Sequence, residues 1–337
     1  MTSQSPHMIF SLARLPNATE TEPHVTPIIS AYLSKIIGYI NAYVLGIIVG
    51  VVGVFTNTAN ISVYWRMGLS ETTNISFFAL SIFDLIVSVV QVVIQITRNR
   101  PVSVMRLPSG APVSEMGMGG IFLFYACVGS SAWITAVLSV ERCLCISMPL
   151  KVKEIVTPKR TLILILTMLV YQSVFIVLLF VYPGPPYDVY SPERALFYNC
   201  SFSFPTLICF IIVLFSTTLL VVRLRQNLEW RNETAKQSNQ TSGGSKERKA
   251  ARCVVAICTI FIICFTPNIT LLVLSIVYPE FNVQDPYVGS LKKILYDVNS
   301  LLIVLSSAIN IVVYYRMGTK YREVFNSLFC RKREKDG

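Results

Sequence analysis

The chain has 337 residues, of which 53% are hydrophobic and only 14% are charged, so its composition is not that of an ordinary soluble domain. Its net charge is +11, which taken alone would suit a nucleic-acid-binding protein. The basic excess falls in short loops on one side of the predicted membrane segments, however, where anionic lipid and an acidic cytosolic partner are the better interpretations. We therefore expect no nucleic-acid partner.

Apolar runs that can cross a bilayer recur along the sequence. Each has at least the roughly 20 residues needed to span about 30 Å of hydrocarbon. Backbone N–H and C=O groups inside lipid must be satisfied locally, so runs of this length predict helices, and the alternation of a β-barrel is absent. The sequence predicts an all-α membrane protein, a seven-transmembrane helix bundle. The predicted spans are residues 36–64, 75–97, 117–147, 161–182, 203–222, 250–278 and 294–315.

The orientation is predicted by the basic residues, because 21 of the 29 lie on one side of the predicted spans. Since basic loops stay in the cytosol, we expect a multi-pass plasma-membrane protein with an extracellular N-terminus and a cytosolic C-terminus. Residues 1–35 would form an extracellular tail, 36–316 the bundle and 317–337 a cytosolic segment. The sequons at Asn17 and Asn199 fall on the extracellular side and are predicted glycosylation sites.

Asp84, in the second predicted span, is the only acidic residue deep inside the bundle. By the helical rise it lies about 15 Å from the cytosolic end of its helix, and an ionisable residue at this depth indicates a functional role. Polar residues of similar depth could hydrate the carboxylate or complete the oxygen ligands of a hard cation, although each could equally bond a backbone. They are Asn57, Ser131, Ser306, Ser307 and Asn310.

Glu141 and Arg142 end the third span, where they could be the solvated end of a helix. Glu247, at the start of the sixth span, is predicted at the same membrane level. An ion pair between Arg142 and Glu247 would clamp the third helix to the sixth with about 1 kcal/mol, which suits a reversible switch. Pro267 predicts a kink in the sixth helix.

Motifs for catalysis are absent from the sequence. The two histidines, His7 and His24, lie in the N-terminal tail, and there is no GxSxG, HExxH or Walker glycine loop. We therefore expect no enzyme activity and no resident cofactor. The nine cysteines form no CxxC pattern and only Cys200 is clearly extracellular, which argues against a disulfide framework.

The last apolar segment, residues 318–329, places apolar side chains at helical spacing opposite charged ones. This pattern predicts an amphipathic helix on the inner leaflet, with membrane lipid as its partner. Cys330 follows it beside a basic run and is a palmitoylation candidate.

Several short motifs occur in an order that characterises one large family. They are Asn57, Leu80-Ser81-Ile82-Phe83-Asp84-Leu85, Ser139-Val140-Glu141-Arg142-Cys143, Pro149-Leu150, Phe204-Pro205, Phe261-Ile262-Ile263-Cys264-Phe265-Thr266-Pro267 and Asn310-Ile311-Val312-Val313-Tyr314. On these motifs the sequence resembles the rhodopsin-like (class A) G-protein-coupled receptors across nearly its whole length. Short segments such as Arg66-Met67-Gly68-Leu69 look similar to the corresponding segments of invertebrate, especially molluscan, chemosensory-like and peptide-receptor-like members.

The resemblance implies a receptor that binds an extracellular peptide or small chemosensory molecule and activates a heterotrimeric G protein by outward movement of the sixth helix. By the same resemblance Arg142 would meet the G protein, Phe265 would act as a toggle and Tyr314 would swing inward. The polar group around Asp84 would correspond to an allosteric sodium pocket. The alternative is a secondary transporter or channel of seven helices, although the two halves show no evident inverted repeat.

The sequence departs from the family at several positions. Gly117 stands where the family has a cysteine that pairs with the second outer loop, so Cys200 lacks its usual partner. Phe265 replaces the sixth-helix tryptophan and Ile311 replaces the seventh-helix proline. These departures affect the expected rigidity of the bundle and the expected role of Phe265 as the toggle.

Candidate ligand-binding residues lie in the outer half of the bundle. Phe124 stands where amine receptors carry an aspartate and Val304 where opsins carry a lysine, which disfavours amines and retinal. Arg98 would pair with a ligand carboxylate and Asp297 with an amine or arginine, although both could equally be rim charges facing water. The candidates are Gln91, Gln95, Arg98, Phe124, Tyr125, Asn268, Tyr278 and Asp297.

Overall fold

Eight long helices make up most of the part of the chain that the structure describes. This computed structural model describes residues 26–98, 100–108, 113–148, 151–181, 197–234, 243–278, 281 and 285–330. The helices are α1 (Ala31–Met67, π-helical at Ile40–Gly46), α2 (Thr72–Thr97), α3 (Val113–Ser147), α4 (Pro158–Val181), α5 (π-helical Asn199–Ser203 continuing as Phe204–Thr234), α6 (Gly243–Val277), α7 (Gly289–Met317) and α8 (Thr319–Phe329). Helices of four residues, Arg100–Ser103 and Val152–Ile155, lie in the connections.

Helices α1 to α7 are long and apolar enough to cross a membrane, which confirms the predicted seven-transmembrane bundle. Each of the seven helices begins three to seven residues before its predicted span, and for two of them the structure shows a local reason. Helix α1 begins at Ala31 rather than residue 36, because the Ser30 hydroxyl caps it by accepting a hydrogen bond of 3.3 Å from the Leu33 N–H. The fifth span begins at Asn199 rather than residue 203, because a π-helical turn precedes the regular helix.

Helix α3 is the centre of the bundle, where it packs against α2, α4, α5 and α6. Its inward side chains are among the most deeply buried in the protein, including Ala132, Ile134 and Leu138. The ring of helices closes because α7 packs against α1, α2 and α6, while α8 packs against α1 and α7. The bundle therefore brings polar positions on α2, α3 and α7 to one depth at its core.

Gly117 stands where the family carries a disulfide-forming cysteine, and the structure shows its surroundings. Each of the nine cysteines lies in the described ranges, and none of them forms a disulfide. A Cβ atom at Gly117 would lie only 2.5 Å from the Thr97 hydroxyl oxygen. The Thr97 side chain on α2 thus occupies the space that a side chain at position 117 of α3 would need.

Candidate functional site

Asp84 on α2 lies at the centre of the bundle, where it is 2% exposed. Its carboxylate accepts three hydrogen bonds from two other helices. Ser131 on α3 donates to Oδ1 over 2.9 Å, and Ser307 on α7 donates to the same oxygen over 3.1 Å. Asn310 on α7 donates to Oδ2 over 3.0 Å. One carboxylate therefore joins α2, α3 and α7.

Two other residues of the predicted polar group bond to backbone. The Ser306 hydroxyl donates to the carbonyl oxygen of Ile303 over 2.7 Å. The Asn57 amide donates to the carbonyl oxygens of Gly53 over 3.0 Å and Ser307 over 3.4 Å. Asn57 therefore ties α1 to α7 and contacts the cluster through the backbone of Ser307 rather than through Asp84.

A small cavity of about 20 Å³ adjoins this cluster, with Asp84, Ser131, Ser306, Ser307 and Asn310 in its lining. That volume suffices for one water-sized occupant. The serine hydroxyls that donate to Asp84 keep lone pairs that can accept, so the oxygen set fits one small hard cation. Among the described residues, no group of three or more His, Cys, Asp or Glu could hold a metal ion.

One end of the bundle contains a larger cavity of about 420 Å³, which we call the Arg142 cavity. Arg142 is 9% exposed, and its Nη2 donates a hydrogen bond to the hydroxyl of Thr73 on α2. Its Nε has no partner in the described part of the chain. The side chain of Glu247 lies outside the described residues, so the predicted clamp stays a prediction.

Glu141, the neighbour of Arg142, faces a different helix. Its Oε1 accepts a hydrogen bond from the Thr161 hydroxyl on α4, while its Oε2 has no partner among the described residues. Glu141 and Arg142, which both lie within the described residues, form no ion pair with each other. The hydrogen bond to Thr73 thus ties Arg142 to α2. The sequence motif did not reveal this partner.

Tyr314 on α7 forms part of the wall of the Arg142 cavity. It is 1% exposed, and its hydroxyl has no hydrogen-bond partner in the described part of the bundle. Its ring centroid lies 5.2 Å from that of Tyr64, 4.8 Å from Phe77 and 5.6 Å from Tyr321. Aromatic rings from α1, α2, α7 and α8 therefore meet around this tyrosine.

Helix α6 covers the polar cluster with two stacked rings. Phe261 and Phe265 are buried, and their centroids lie 4.1 Å apart with an interplanar angle of 28°. Both rings line the small cavity beside Asp84. Pro267 follows within the same helix and removes one backbone hydrogen bond, which makes this the turn at which α6 bends most easily.

The opposite end of the bundle contains a cavity of about 480 Å³, which we call the Tyr125 cavity. As far as the described residues line it, the cavity combines aromatic rings with neutral polar groups and has no acidic or basic side chain. Tyr125 meets Tyr198 edge-on with centroids 5.6 Å apart. Asn268 on α6 accepts a hydrogen bond of 3.0 Å from the Asn299 amide on α7. This cavity suits a ligand with aromatic or neutral hydrogen-bonding groups.

The sequence profile described as "7 transmembrane receptor (rhodopsin family)" matches residues 57–314, which is most of the chain. The match includes the Tyr125 cavity, the central polar cluster and most of the lining of the Arg142 cavity. The chain belongs to this family of receptors. The FMRFamide receptor of Drosophila melanogaster is 22% identical to this receptor over 215 residues, which are 60% of this chain. The match spans only 38% of the length of the fly protein.

The eight predicted ligand-binding residues do not share one cavity. Tyr125 and Asn268 line the Tyr125 cavity, whereas the other six candidates do not. Gln91, Gln95 and Phe124 are buried between helices. Their positions follow from helix rotation, which the sequence pattern does not define.

The two charged candidates lie at the rim and bind each other. Arg98 Nη1 donates to Asp297 Oδ1 over 3.2 Å, with the arginine 40% exposed and the aspartate 12% exposed. Neither charge is therefore free to pair with a ligand unless this ion pair opens. Tyr278 is 61% exposed beyond the end of α6.

The predicted glycosylation and palmitoylation sites lie toward opposite ends of the helix bundle or outside the described residues. Asn17 lies outside the described residues. Asn199 is half-buried in the lining of the Tyr125 cavity, where a glycan would compete with a ligand for space. Cys330 is exposed immediately after α8. Glycosylation and palmitoylation of this receptor stay predictions.

Proposed function

We propose that the protein is a plasma-membrane receptor that binds an extracellular ligand in the Tyr125 cavity and promotes nucleotide exchange on a heterotrimeric G protein at the Arg142 cavity. The observation that supports this most is the pair of cavities at opposite ends of one bundle. Helix α6 contributes to both, through Asn268 and Leu272 at one end and Lys249 and Cys253 at the other. Movement of this one helix changes both cavities together.

The bend at Pro267 is the point about which α6 would pivot. Asn268, the next residue, lines the Tyr125 cavity, while Phe265 and Phe261 cover the polar cluster below it. A ligand that pulls on Asn268 disturbs the stacked rings, and the segment of α6 beyond them swings away from Arg142. Such a shift needs only a modest difference in ligand affinity between the two arrangements.

Sodium at the central cluster would oppose this movement. Asp84, Ser131 and Ser307 would hold the ion, with Ser306 and Asn310 beside it. A cation there would supply a positive charge that stabilises the buried Asp84 carboxylate. It would favour the arrangement in which Ser131 on α3 and Ser307 on α7 lie close to Asp84 on α2.

The lining of the Tyr125 cavity supports a peptide with aromatic side chains as the ligand. Phe122, Tyr125, Tyr198, Phe202 and Tyr296 provide rings, and a volume of about 480 Å³ admits one or two side chains rather than a whole peptide. The name of the fly relative, an FMRFamide receptor, supports the same class of ligand. The rest of the peptide would lie over the rim at Arg98 and Asp297.

A library of short peptides and small chemosensory molecules, applied to cells that express the receptor with a promiscuous G protein, tests this proposal. A hit should lose potency about tenfold or more on Tyr125→Ala, because a buried aromatic contact is lost. The matched control is Tyr278→Ala, which removes an exposed ring outside the cavity. Uptake or current without any G protein would contradict the proposal in favour of a transporter or channel.

A further inference from the structure

Lys292 is a buried cation near the start of α7, at the end of the bundle that contains the Tyr125 cavity. Its side chain is 7% exposed, whereas the next residue, Lys293, is exposed to solvent. The Lys292 ammonium donates a hydrogen bond to the carbonyl oxygen of Phe281, in the connection after α6. It lies 4.9 Å from the centroid of the Phe281 ring and 5.7 Å from that of Tyr296. One carbonyl and two aromatic rings therefore surround a side chain that carries a full positive charge.

No described acidic residue neutralises this charge. Asp297, farther along α7, pairs with Arg98. Asp285 accepts hydrogen bonds of 2.8 and 2.9 Å from two backbone N–H groups immediately before α7. An ammonium has three N–H donors, and the bond to Phe281 uses one of them. Because a buried charge without a counter-charge is costly, a cation in these surroundings indicates a site for an anion.

Helical spacing places Lys292 beside the Tyr125 cavity. Tyr296 lines this cavity and lies four residues after Lys292, so the two side chains share one face of α7. By the helical rise Lys292 is about 6 Å nearer the start of the helix than Tyr296. A ligand whose aromatic group packs against Tyr296 can therefore present an acidic group to the ammonium from within the same site.

We propose that Lys292 binds a carboxylate of the ligand, an inference that rests on the proposed binding of a ligand in the Tyr125 cavity. The Phe281 carbonyl holds the ammonium in place, and the two remaining N–H donors bond the carboxylate oxygens. The ligand is then an aromatic acid, or a peptide with a carboxylate about 6 Å from an aromatic side chain. The sequence suggested Arg98 for this role, but Arg98 is already neutralised by Asp297.

Two fragments that differ in a single group test this proposal. They are N-acetylphenylalanine, which is a carboxylate at neutral pH, and N-acetylphenylalaninamide, which is uncharged. Each is titrated against the full-length protein in lipid nanodiscs, and binding is followed by ligand-detected NMR. Wild type should bind the acid at least about tenfold more tightly than the amide, because a shielded charge pair forms.

Variants of the two adjacent lysines assign the preference to one side chain. Lys292→Gln should bind the acid and the amide equally. Lys292→Arg, which keeps the positive charge, should retain most of the preference for the acid. Lys293→Gln is the matched control and should bind like wild type, because its charge is exposed and screened by solvent. A preference for the acid that survives Lys292→Gln overturns the proposal.

Tyr125→Ala separates this inference from the proposed ligand site. If acid and amide bind wild type equally and both are lost in Tyr125→Ala, the Tyr125 cavity stands as the ligand site and the role of Lys292 is refuted. Acid binding that is unaffected by Tyr125→Ala places the anion outside the cavity and also refutes the proposal. So does a wild type that binds neither fragment at millimolar concentration.

A second pair of fragments distinguishes the two sources of the carboxylate. N-acetylglutamyl-phenylalaninamide carries it on a side chain, and the glutaminyl counterpart is neutral. A preference for the glutamyl form that is lost in Lys292→Gln supports an acidic side chain, whereas a preference confined to N-acetylphenylalanine supports a terminal carboxylate. Thermal melting of each variant without ligand identifies unfolded protein, and Lys292→Met, which keeps the apolar stem, replaces Lys292→Gln if that variant does not fold.

Discussion

The Tyr321 hydroxyl on α8 donates a hydrogen bond of 2.6 Å to Asn60 Oδ1 on α1. The Asn60 amide donates in turn to Asn57 Oδ1 over 3.2 Å, and the Asn57 amide reaches the carbonyl oxygen of Ser307. Since Ser307 also bonds Asp84, a continuous chain of hydrogen bonds runs from α8 to the centre of the bundle. Burial raises the pKa of the Tyr321 hydroxyl above its ordinary value, so it stays protonated and donates at neutral pH.

Tyr321→Phe should destabilise the protein by about 1–3 kcal/mol, because the ring stays packed while the buried Asn60 loses a partner. The melting temperature in detergent should fall by a few degrees. Tyr32→Phe, at a site that is 76% exposed, is the control and should melt like wild type. Identical melting of the two variants would mean that the Asn60 bond contributes nothing.

Asp84→Asn should abolish any stabilisation by sodium. We expect the melting temperature of wild type to be higher in NaCl than in an equal concentration of N-methylglucamine chloride, because a bound ion stabilises the folded state by mass action. The variant should show no difference between the two salts. Glu323→Gln, an exposed acid on α8, should behave like wild type. A wild type that is indifferent to sodium would refute the ion site without affecting the rest of the mechanism.

Thr73→Val should raise ligand-independent nucleotide exchange several-fold, because it removes the hydroxyl to which Arg142 donates while keeping the volume of the side chain. Glu247→Ala tests the clamp inferred from the sequence by the same assay. Exchange that rises only with Thr73→Val assigns the restraint to α2, and exchange that rises only with Glu247→Ala assigns it to α6. Thr167→Val, at an exposed position of α4 whose hydroxyl bonds only the preceding turn of its own helix, is the control.

Gly117→Ala should cost roughly 1–3 kcal/mol, because the added Cβ would lie 2.5 Å from the Thr97 hydroxyl oxygen. Thr97→Ala in the same protein should restore most of the lost melting temperature by removing that oxygen. The control is Gly119→Ala, two residues along α3, where no atom lies within 4 Å of an added Cβ. If Gly117→Ala melts like Gly119→Ala, the Thr97 side chain does not occupy the space beside Gly117.

The seven spans could be predicted because the bilayer sets a minimum length for every apolar helix. The depth of Asp84, Ser131, Ser307 and Asn310 also followed from sequence, since the helical rise converts a residue count into a distance. The structure brings these four together as that depth requires. The start of α1 was missed because a capping serine, rather than apolar character, begins the helix.

Partners across helices could not be predicted, because they depend on how each helix is rotated about its axis. The sequence does not identify Thr73 as the partner of Arg142, because single threonines are common at the ends of helices. The sequence predicts Gln91 and Gln95 as candidates for the ligand pocket, yet both are buried and neither lines the Tyr125 cavity. Only the side-chain packing of the whole bundle places such residues.

Nucleotide exchange on a purified heterotrimeric G protein, with the protein in lipid nanodiscs, tests the central claim most directly. We predict that wild type accelerates exchange above empty discs and that Arg142→Gln reduces the acceleration at least tenfold, while Arg225→Gln, an exposed arginine on α5, leaves it unchanged. Acceleration that survives Arg142→Gln would contradict the assignment of the Arg142 cavity as the coupling site. No acceleration by wild type with any G-protein subtype, together with solute flux in vesicles, would contradict the receptor mechanism as a whole.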